Sequence, residues 1–298
     1  MLTARSQRVR EARALRRRTT RAKRGRFLAE GPQAVREAIG RPDLLIEIFA
    51  SSEAVSRYAD LLDRTPALVR IADEEALRSL SETVTPQGVV AVCRLLTVPL
   101  TEALVSMPQL VPVLVDARDP GNAGTVIRCS DAAAADAVIL AGDSVDPHGG
   151  KCVRASAGSV FHLPIVASID VIEVIAVSRK LGMTVLAADA AGQTDIDVAA
   201  DSGLLRNPTL WLFGNEAHGL PETVVEQADQ AVRVPIFGRA ESLNLASAAV
   251  ICLYASARAH RARQAGADQT AARLRMRGVG RDTDLDQLRS ADDPTRLS

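Results

Sequence analysis

Long apolar runs are missing from this chain of 298 residues, and no hydrophobic segment reaches the roughly 18 residues that a membrane-spanning helix needs. No apolar stretch follows the basic amino terminus, so a secretory signal is not expected. Cysteine is scarce, and its four positions have no metal-ligand spacing, which argues against a zinc module and a disulfide framework. We therefore expect a cytoplasmic protein that uses neither a membrane nor a metal.

Lysine is also rare, since only three of the 36 basic residues are lysine. The net charge of zero hides an uneven distribution, because residues 1–26 carry eleven Lys or Arg and only one acid, Glu11. Such a basic arm favours a polyanionic partner, with RNA or DNA as the obvious candidates. The alternative is a solvated terminus that binds nothing specific.

The order of predicted elements divides the chain into four parts. Residues 1–95 combine the basic arm with a small α/β module, and residues 96–109, which contain two prolines, are expected to form a linker. Residues 110–260 show a second α/β pattern. Residues 261–298 are poor in large apolar side chains and are expected to be a mostly disordered tail, with a helical stretch near 268–277.

Short apolar strands alternate with helical stretches in the second domain, which predicts a mainly parallel sheet covered on both faces. The predicted strands are 111–116, 137–141, 163–167, 184–188, 209–213 and 231–235. The predicted helices are 122–134, 150–160, 170–181, 221–228 and 244–260.

The first polar cluster of this domain follows its first strand and opens the helix predicted at 122–134. We expect Asn122 to cap that helix. Arg128 lies six residues further on, about 9 Å along the axis, where a long side chain reaches back toward an anion at the helix start. The alternative is an ordinary capped helix with a surface arginine.

Two further polar clusters follow later strands. In the second, Gly214 and Glu216 come directly after an apolar strand, at the place where α/β proteins often put functional groups. An ordinary strand–loop–helix connection is the alternative there. In the third, either Ser242 or Asn244 is expected to cap the helix 244–260. That helix is apolar on nearly every face, so we expect it to be buried in the core or against another subunit.

Together, the three clusters give an ordered series of motifs: Asn-x-Gly-x-x-x-Arg, then Phe-Gly-Asn-Glu-x-x-Gly-Leu, then Val-Pro-Ile followed by Glu-Ser-Leu-Asn-Leu-Ala-x-Ala. The series resembles the signature motifs of the SpoU (TrmH) family of RNA ribose 2′-O-methyltransferases, within the SPOUT superfamily. Residues 1–95 resemble the substrate-binding domain of that family, through the basic arm, Phe27–Gly31 and Thr85–Ala91. The layout is similar to ribosomal RNA methyltransferases, including the thiostrepton-resistance type.

This resemblance implies a carboxy-terminal α/β domain with a trefoil knot, a smaller amino-terminal α/β substrate-binding domain, and a homodimer. It also implies that S-adenosylmethionine binds in the knotted loops. By motif position, the residues implied for the cofactor are Ala187, Ala188, Gly214, Val234, Ile236, Leu243 and Leu245. A Rossmann dinucleotide site is disfavoured, because no Gly-x-Gly-x-x-Gly follows the first strand of this domain.

The family pattern places Arg128 at the ribose hydroxyl. Because an arginine stays protonated and is a poor base, it either clamps the adjacent phosphate, which we favour, or acts through a phosphate oxygen that takes the proton. Asn122, Glu216 and Asn244 are expected to orient Arg128 and the ribose, and Ser242 is a further catalytic candidate. Ribosomal RNA is the expected substrate. The alternatives are the same chemistry on transfer RNA, and an RNA-binding protein without activity.

Overall fold

The computed structural model of the protein describes residues 1–105 and 107–265 and contains two β-sheets. The strands are β1 (Arg26–Glu30), β2 (Leu45–Ala50), β3 (Leu68–Ile71), β4 (Val89–Arg94), β5 (Leu110–Val115), β6 (Val138–Ala141), β7 (Ile165–Ile169), β8 (Thr184–Ala188), β9 (Thr194–Asp195), β10 (Thr209–Phe213) and β11 (Gln230–Arg233). The helices are α1 (Gln7–Arg13), α2 (Arg18–Arg24), α3 (Pro32–Ile39), α4 (Ser52–Arg57), α5 (Ala59–Leu62), α6 (Glu74–Leu80), α7 (Leu100–Ala103), α8 (Pro120–Ala132), α9 (Gly150–Ala155), α10 (Val171–Lys180), α11 (Ile196–Asp201), α12 (Glu222–Val225) and α13 (245–265).

The first sheet belongs to the amino-terminal domain and has the order β1-β4-β2-β3. Strand β4 pairs antiparallel with β1 and β2, whereas β2 and β3 are parallel. The valine-rich β4 is buried along Val89–Cys93, as expected of a central strand. The edge strand β1 was not predicted, although its Phe27, Leu28 and Ala29 are all buried.

The basic segment at the amino terminus is folded rather than extended away from the domain. It forms α1, a 3₁₀ turn and α2, with Val9, Ala12 and Leu15 buried against the first sheet and α6. These apolar positions recur every three residues, which places them on one face of the helical segment. The arginines between them are therefore directed outward.

The second sheet is parallel throughout and has the order β7-β6-β5-β10-β8-β11-β9. The prediction of a parallel sheet covered on both faces is confirmed. Successive side chains of β5 alternate between two core clusters, with Leu110 and Leu114 in one and Val111 and Val113 in the other. Because the chain returns to place β10 between β5 and β8, the carboxyl ends of these three strands are adjacent. The loops that leave them carry the polar motifs.

The two domains share a hydrophobic core. Phe27 of β1 lies in the same buried cluster as Cys152 and Phe161 of the second domain, and the Phe27 and Phe161 ring centroids are 6.0 Å apart. An ion pair crosses the same seam, where the guanidinium of Arg21 lies 2.7 Å from the carboxylate of Asp146. Both side chains are largely buried, so the pair fixes α2 to the second domain.

The segment 96–109, predicted to be a linker, is packed against the second sheet. The backbone N–H of Val98 donates to the carbonyl of Ile165 (3.0 Å), and Leu100, which begins α7, and Leu104, which follows it, are buried. Apolar residues in the segment therefore extend the core of the second domain.

Several helix boundaries differ from the prediction. The helix expected at 150–160 ends at Ala155, because Ala157 and Gly158 have positive φ, and a 3₁₀ turn (Ser159–Phe161) follows. Helix α13 begins at 245 and continues past 260 to 265. The rest of the predicted tail, including the stretch 268–277, lies outside the described residues. No helix among residues 1–105 and 107–265 is long and apolar enough to cross a membrane.

Candidate active site

Helix α8 is capped by Asp119 and not by Asn122, which corrects the sequence prediction. The Asp119 Oδ1 accepts a hydrogen bond from the backbone N–H of Asn122 (2.8 Å), and Pro120 occupies the first helical position. Proline is favoured at the first position of a helix because it has no N–H that needs a partner. With Pro120 at that position, the cap is the residue before it, Asp119. Asn122 is thus inside the first turn, and its side chain is free for other contacts.

That side chain joins the three polar motifs. Asn122 Nδ2 donates to Glu216 Oε1 (2.9 Å), and Asn244 Nδ2 donates to Asn122 Oδ1 (3.0 Å). We call Asn122, Glu216 and Asn244 the polar triad. Asn122 lies in the helix that follows β5, and Glu216 and Asn244 lie in the loops after β10 and β11, so the fold brings together residues 94 and 122 positions apart in the chain.

Asn244 has a second role as the cap of α13. Its Oδ1 accepts hydrogen bonds from the backbone N–H groups of Ala246 (2.9 Å) and Ser247 (3.3 Å). Of the two predicted caps, Ser242 and Asn244, the structure therefore uses Asn244. One amide side chain ends the loop, starts the helix and orients Asn122.

The loop that carries Glu216 is closed on itself. Asn215 and Gly219 exchange two backbone hydrogen bonds (3.0 and 2.8 Å), and the Asn215 side chain donates to the carbonyl of Asp116 (2.7 Å) at the end of β5. Asn215 belongs to the second motif, but no role was predicted for it. An asparagine two residues after a buried strand was the available signal, since this residue type stabilises turns with its side chain.

A cavity of about 320 Å³ lies beside the triad. Small-molecule sites begin at about this volume. Its lining includes Ser242 and six of the seven residues predicted for the cofactor, which are Ala188, Gly214, Val234, Ile236, Leu243 and Leu245. Two carboxylates, Asp189 and Glu216, also line it. Asp189 was missed because it directly follows the predicted strand 184–188 and belongs to none of the three motifs.

Ala187 is the predicted cofactor residue that does not line the cavity. It is fully buried among the side chains of the second core cluster, whereas the next residue, Ala188, lines the cavity. Side chains of a strand alternate between the two faces of the sheet, so within β8 the side chain of Ala187 lies on the face opposite to that of Ala188.

A wide groove adjoins the cavity and shares Glu216 with it. We call it the active-site groove; it encloses about 1000 Å³ and contains all three members of the triad. Near its edge, Lys151 Nζ donates to Asp119 Oδ2 (2.7 Å), and this hydrogen bond lowers the pKa of the Asp119 carboxyl below its ordinary value. Glu216 thus stands between a small, largely apolar cavity and a broad polar groove, an arrangement suited to two different ligands.

The match with known sequences decides the family. A family model described as the SpoU rRNA methylase family matches residues 109–254, and an MRM3-like substrate-binding domain matches residues 6–91. Over 258 residues the chain is 35% identical to 23S rRNA (guanosine(2553)-2′-O)-methyltransferase RlmP of Bacillus subtilis, covering 85% of this chain and 96% of the relative. The chain belongs to the SpoU rRNA methylase family.

Solved structures agree with this assignment. The SpoU methyltransferase AviRb from Streptomyces viridochromogenes, solved with the cofactor AdoMet, has a TM-score of 0.74 at 30% identity, over 85% of this chain and 98% of that one. An AdoMet-bound rRNA methyltransferase from Sinorhizobium meliloti has a TM-score of 0.73 at 30% identity, over 87% of this chain and 97% of that one. The predicted SpoU resemblance and the two-domain α/β fold are confirmed.

Arg128 of this SpoU methylase does not lie with the triad. It is exposed on α8 and lines neither the cavity nor the active-site groove. Arg128 comes six residues after Asn122 on α8. This spacing corresponds to about 9 Å along the helix axis and to a rotation of about 120° around it. Within the part of the chain that the structure describes, no carboxylate lies within 4 Å of its guanidinium, so its charge is available to a ligand along the outer face of α8.

Proposed function

We propose that the protein transfers a methyl group from S-adenosylmethionine to a ribose 2′-hydroxyl of 23S ribosomal RNA. The observation that carries this proposal is Glu216, which lines both the cavity and the active-site groove and is held by Asn122. A methyl donor in the cavity and an RNA ribose in the groove would meet at this residue. Relatives that match over most of their length are named as 23S rRNA 2′-O-methyltransferases.

The cavity residues fit S-adenosylmethionine. Val234, Ile236 and Leu245 provide an apolar wall for the adenine ring, and the loop at Gly214 brings backbone groups close. The carboxylates of Asp189 and Glu216 suit a ligand that carries a positive sulfonium and an ammonium group. When bound there, S-adenosylmethionine supplies an electrophilic methyl group.

The residues of this chain orient the hydroxyl and hold the phosphate. The polar triad fixes the Glu216 carboxylate, which accepts a hydrogen bond from a ribose hydroxyl placed in the active-site groove. Arg128 lies outside the active-site groove, so the family motif supports its role here and the geometry of this chain does not: it clamps a phosphate beside the ribose and stabilises the oxyanion that forms as the 2′-hydroxyl loses its proton. It does not accept that proton, because a guanidinium stays protonated at physiological pH. The Glu216 carboxylate, which accepts the hydrogen bond from that hydroxyl, takes the proton as the O–CH₃ bond forms and the S–CH₃ bond breaks, and a phosphate oxygen held by Arg128 is the alternative acceptor.

Ribosomal RNA is favoured over transfer RNA by the amino-terminal domain. Its family model is a substrate-binding domain, and the relatives that match both domains are named for 23S rRNA. Two domains joined by one core offer an extended surface to a large, folded RNA.

The function is tested by incubating the purified protein with tritiated S-adenosylmethionine and an unmodified 23S rRNA transcript. We expect tritium in the RNA, and mass spectrometry of nucleosides should place it in a 2′-O-methyl ribose. A transfer RNA pool is the control. Label on transfer RNA alone would contradict the substrate, label on a base would contradict the chemistry, and cofactor binding without transfer would support a protein that binds RNA without modifying it.

We also propose a trefoil knot in the second domain. In the sheet, β11 is separated from β5 by β8 and β10. After β11 the chain crosses back over these strands, and Asn244 contacts Asn122 in the helix that follows β5. Helix α13 then packs on β10, where Trp211 Nε1 donates to Ser256 Oγ (2.9 Å). The loop after β8 also passes close to β11, because a Cβ on Gly192 would lie 2.8 Å from the carbonyl oxygen of Ala231. These crossings support the knot that the resemblance implies.

We also propose that the protein forms a homodimer through α13. One face of the helix is buried, while Ile251 and Tyr254 on the other are 39% and 45% exposed, and Phe237 in the preceding loop is 93% exposed. Neighbouring exposed apolar side chains of this size are typical of a protein interface.

We expect light scattering to give twice the monomer mass of 31.6 kDa. The double variant Ile251→Glu/Tyr254→Glu should shift the protein toward the monomer, because the interface would bury four unpaired charges per dimer. Ile172→Glu is the matched control, since Ile172 is 48% exposed on α10 outside this face. A monomeric wild-type protein at micromolar concentration would refute the dimer.

A further inference from the structure

The folded amino-terminal segment presents a concave, strongly basic surface. Arg10, Arg13, Arg16 and Arg17 line a groove of about 550 Å³ together with Ala14 and Glu82. We call it the arginine groove. It carries four positive charges and one negative charge, and its arginines come from α1 and the turn that follows it.

Three of these arginines form no ion pair within the described residues. Arg10, Arg13 and Arg17 are exposed, and among residues 1–105 and 107–265 none of the three has a carboxylate within 4 Å. Arg16 has a distant carboxylate, with its Nε 3.9 Å from Glu82 Oε1, and its Nη1 donates to the carbonyl of Ser79 (3.4 Å). By contrast, Arg21 in the same segment is buried and binds Asp146 (2.7 Å). Four like charges on one short segment repel each other, so their clustering is explained by an anionic ligand and not by stability.

The arginine groove is connected to the active-site groove through the start of α9. Glu82 lies so close to α9 that a Cβ on Gly150 would be 2.5 Å from its Oε2. The next residue, Lys151, binds Asp119, which caps the helix that carries Asn122. One side chain of each groove, Glu82 in the arginine groove and Asp119 in the active-site groove, therefore lies against the first turn of α9.

The chemistry of the arginine groove fits phosphates. Guanidinium groups bind phosphate oxygens in a bidentate geometry, and the lining contains no aromatic side chain on which a base could stack. Phosphate contacts position a nucleic acid without reading its sequence. An acidic protein surface is less suited, because the start of α9 links this groove to the groove where the RNA ribose would be methylated.

We propose that the arginine groove binds consecutive backbone phosphates of the RNA substrate and aligns the strand that continues past α9 into the active-site groove. This inference rests on the proposed function and extends it, by assigning the RNA affinity of the basic segment to one set of arginines. Removal of a phosphate contact weakens binding to all RNA sequences alike and makes the salt dependence of affinity less steep by about one in the log–log slope.

The test compares two triple variants of the full chain. The groove variant is Arg10→Ala/Arg13→Ala/Arg17→Ala. The control is Arg5→Ala/Arg18→Ala/Lys23→Ala, which removes three exposed positive charges from the same segment but none from the groove lining. Binding of an unmodified, labelled 23S rRNA transcript is measured at several salt concentrations. Melting temperature and S-adenosylmethionine affinity verify that each variant is folded.

We expect the groove variant to bind RNA at least about tenfold more weakly and to flatten the salt slope by about 2–3, while the control changes the slope by less than about one. Equal losses in the two variants would overturn the proposal in favour of diffuse attraction. An unchanged affinity in the groove variant would also overturn it and would point to another partner, such as an acidic protein. Failure of the proposed function looks different, since a wild-type protein that binds the RNA but transfers no methyl group would refute the enzyme and leave the groove result standing.

Discussion

Arg128→Ala is expected to lower the single-turnover rate of methyl transfer about 10²–10³-fold, the cost of losing one preorganised charge at a reacting centre. The guanidinium is exposed, and within the described residues it has no acidic partner, so its removal breaks no ion pair there. The melting temperature and the affinity for S-adenosylmethionine should therefore stay close to wild type. The rate is measured with enzyme in excess over an unmodified 23S rRNA transcript.

Two further variants sharpen this test. Arg128→Lys should also be slow, because an ammonium group cannot reproduce a bidentate clamp on a phosphate. Lys180→Ala removes one exposed positive charge from α10 and should leave the rate unchanged. If Arg128→Ala transfers methyl groups within a few-fold of the wild-type rate, Arg128 has no place in the reaction.

Gly214→Ala should weaken S-adenosylmethionine binding by about 10- to 100-fold, the equivalent of about 1–3 kcal/mol for forcing an extra methyl group into a packed site. A Cβ on this residue would lie 2.1 Å from the carbonyl carbon of Gly219 and 2.2 Å from the amide nitrogen of Leu220. Both are backbone atoms, so the loop that carries Glu216 must open. The affinity is measured by isothermal titration calorimetry.

Gly238→Ala is the control for the effect on affinity. Gly238 lies in the loop between Ile236 and Leu243, but a Cβ there would have no neighbour within 4 Å. This variant should bind S-adenosylmethionine as the wild type does. Equal affinities for wild type and Gly214→Ala would mean that the loop adapts freely, and the role of Gly214 in shaping the cavity would be wrong.

The parallel sheet was predictable because its strands are short and apolar without interruption. Strands β8 and β10 coincide with the predicted 184–188 and 209–213. The short β9 and α11 were missed, since a strand of two residues leaves no periodic pattern. Strand β1 was missed because it is a single apolar stretch at the end of the charged segment.

The candidate site was predicted only in part, for geometric reasons. Asp119 and Asn122 are both good helix caps, and Pro120 decided between them. For Arg128 the prediction used only the distance along α8 and left out the rotation around the helix axis. The contacts of the polar triad span most of the second domain in sequence, so periodicity could not reveal them; the family motifs could.

The core shared by the two domains has a consequence for how a nucleotide is chosen. Phe27 packs on Phe161 and Arg21 binds Asp146 across the seam, so these contacts join the two domains in one arrangement. That arrangement sets the distance between α1 and the active-site groove. If the arginine groove binds RNA phosphates as we propose, the RNA would place in the active-site groove the nucleotide that its own folding holds at that distance. The shape of the ribosomal RNA, rather than the identity of its bases, would then select the ribose for methylation.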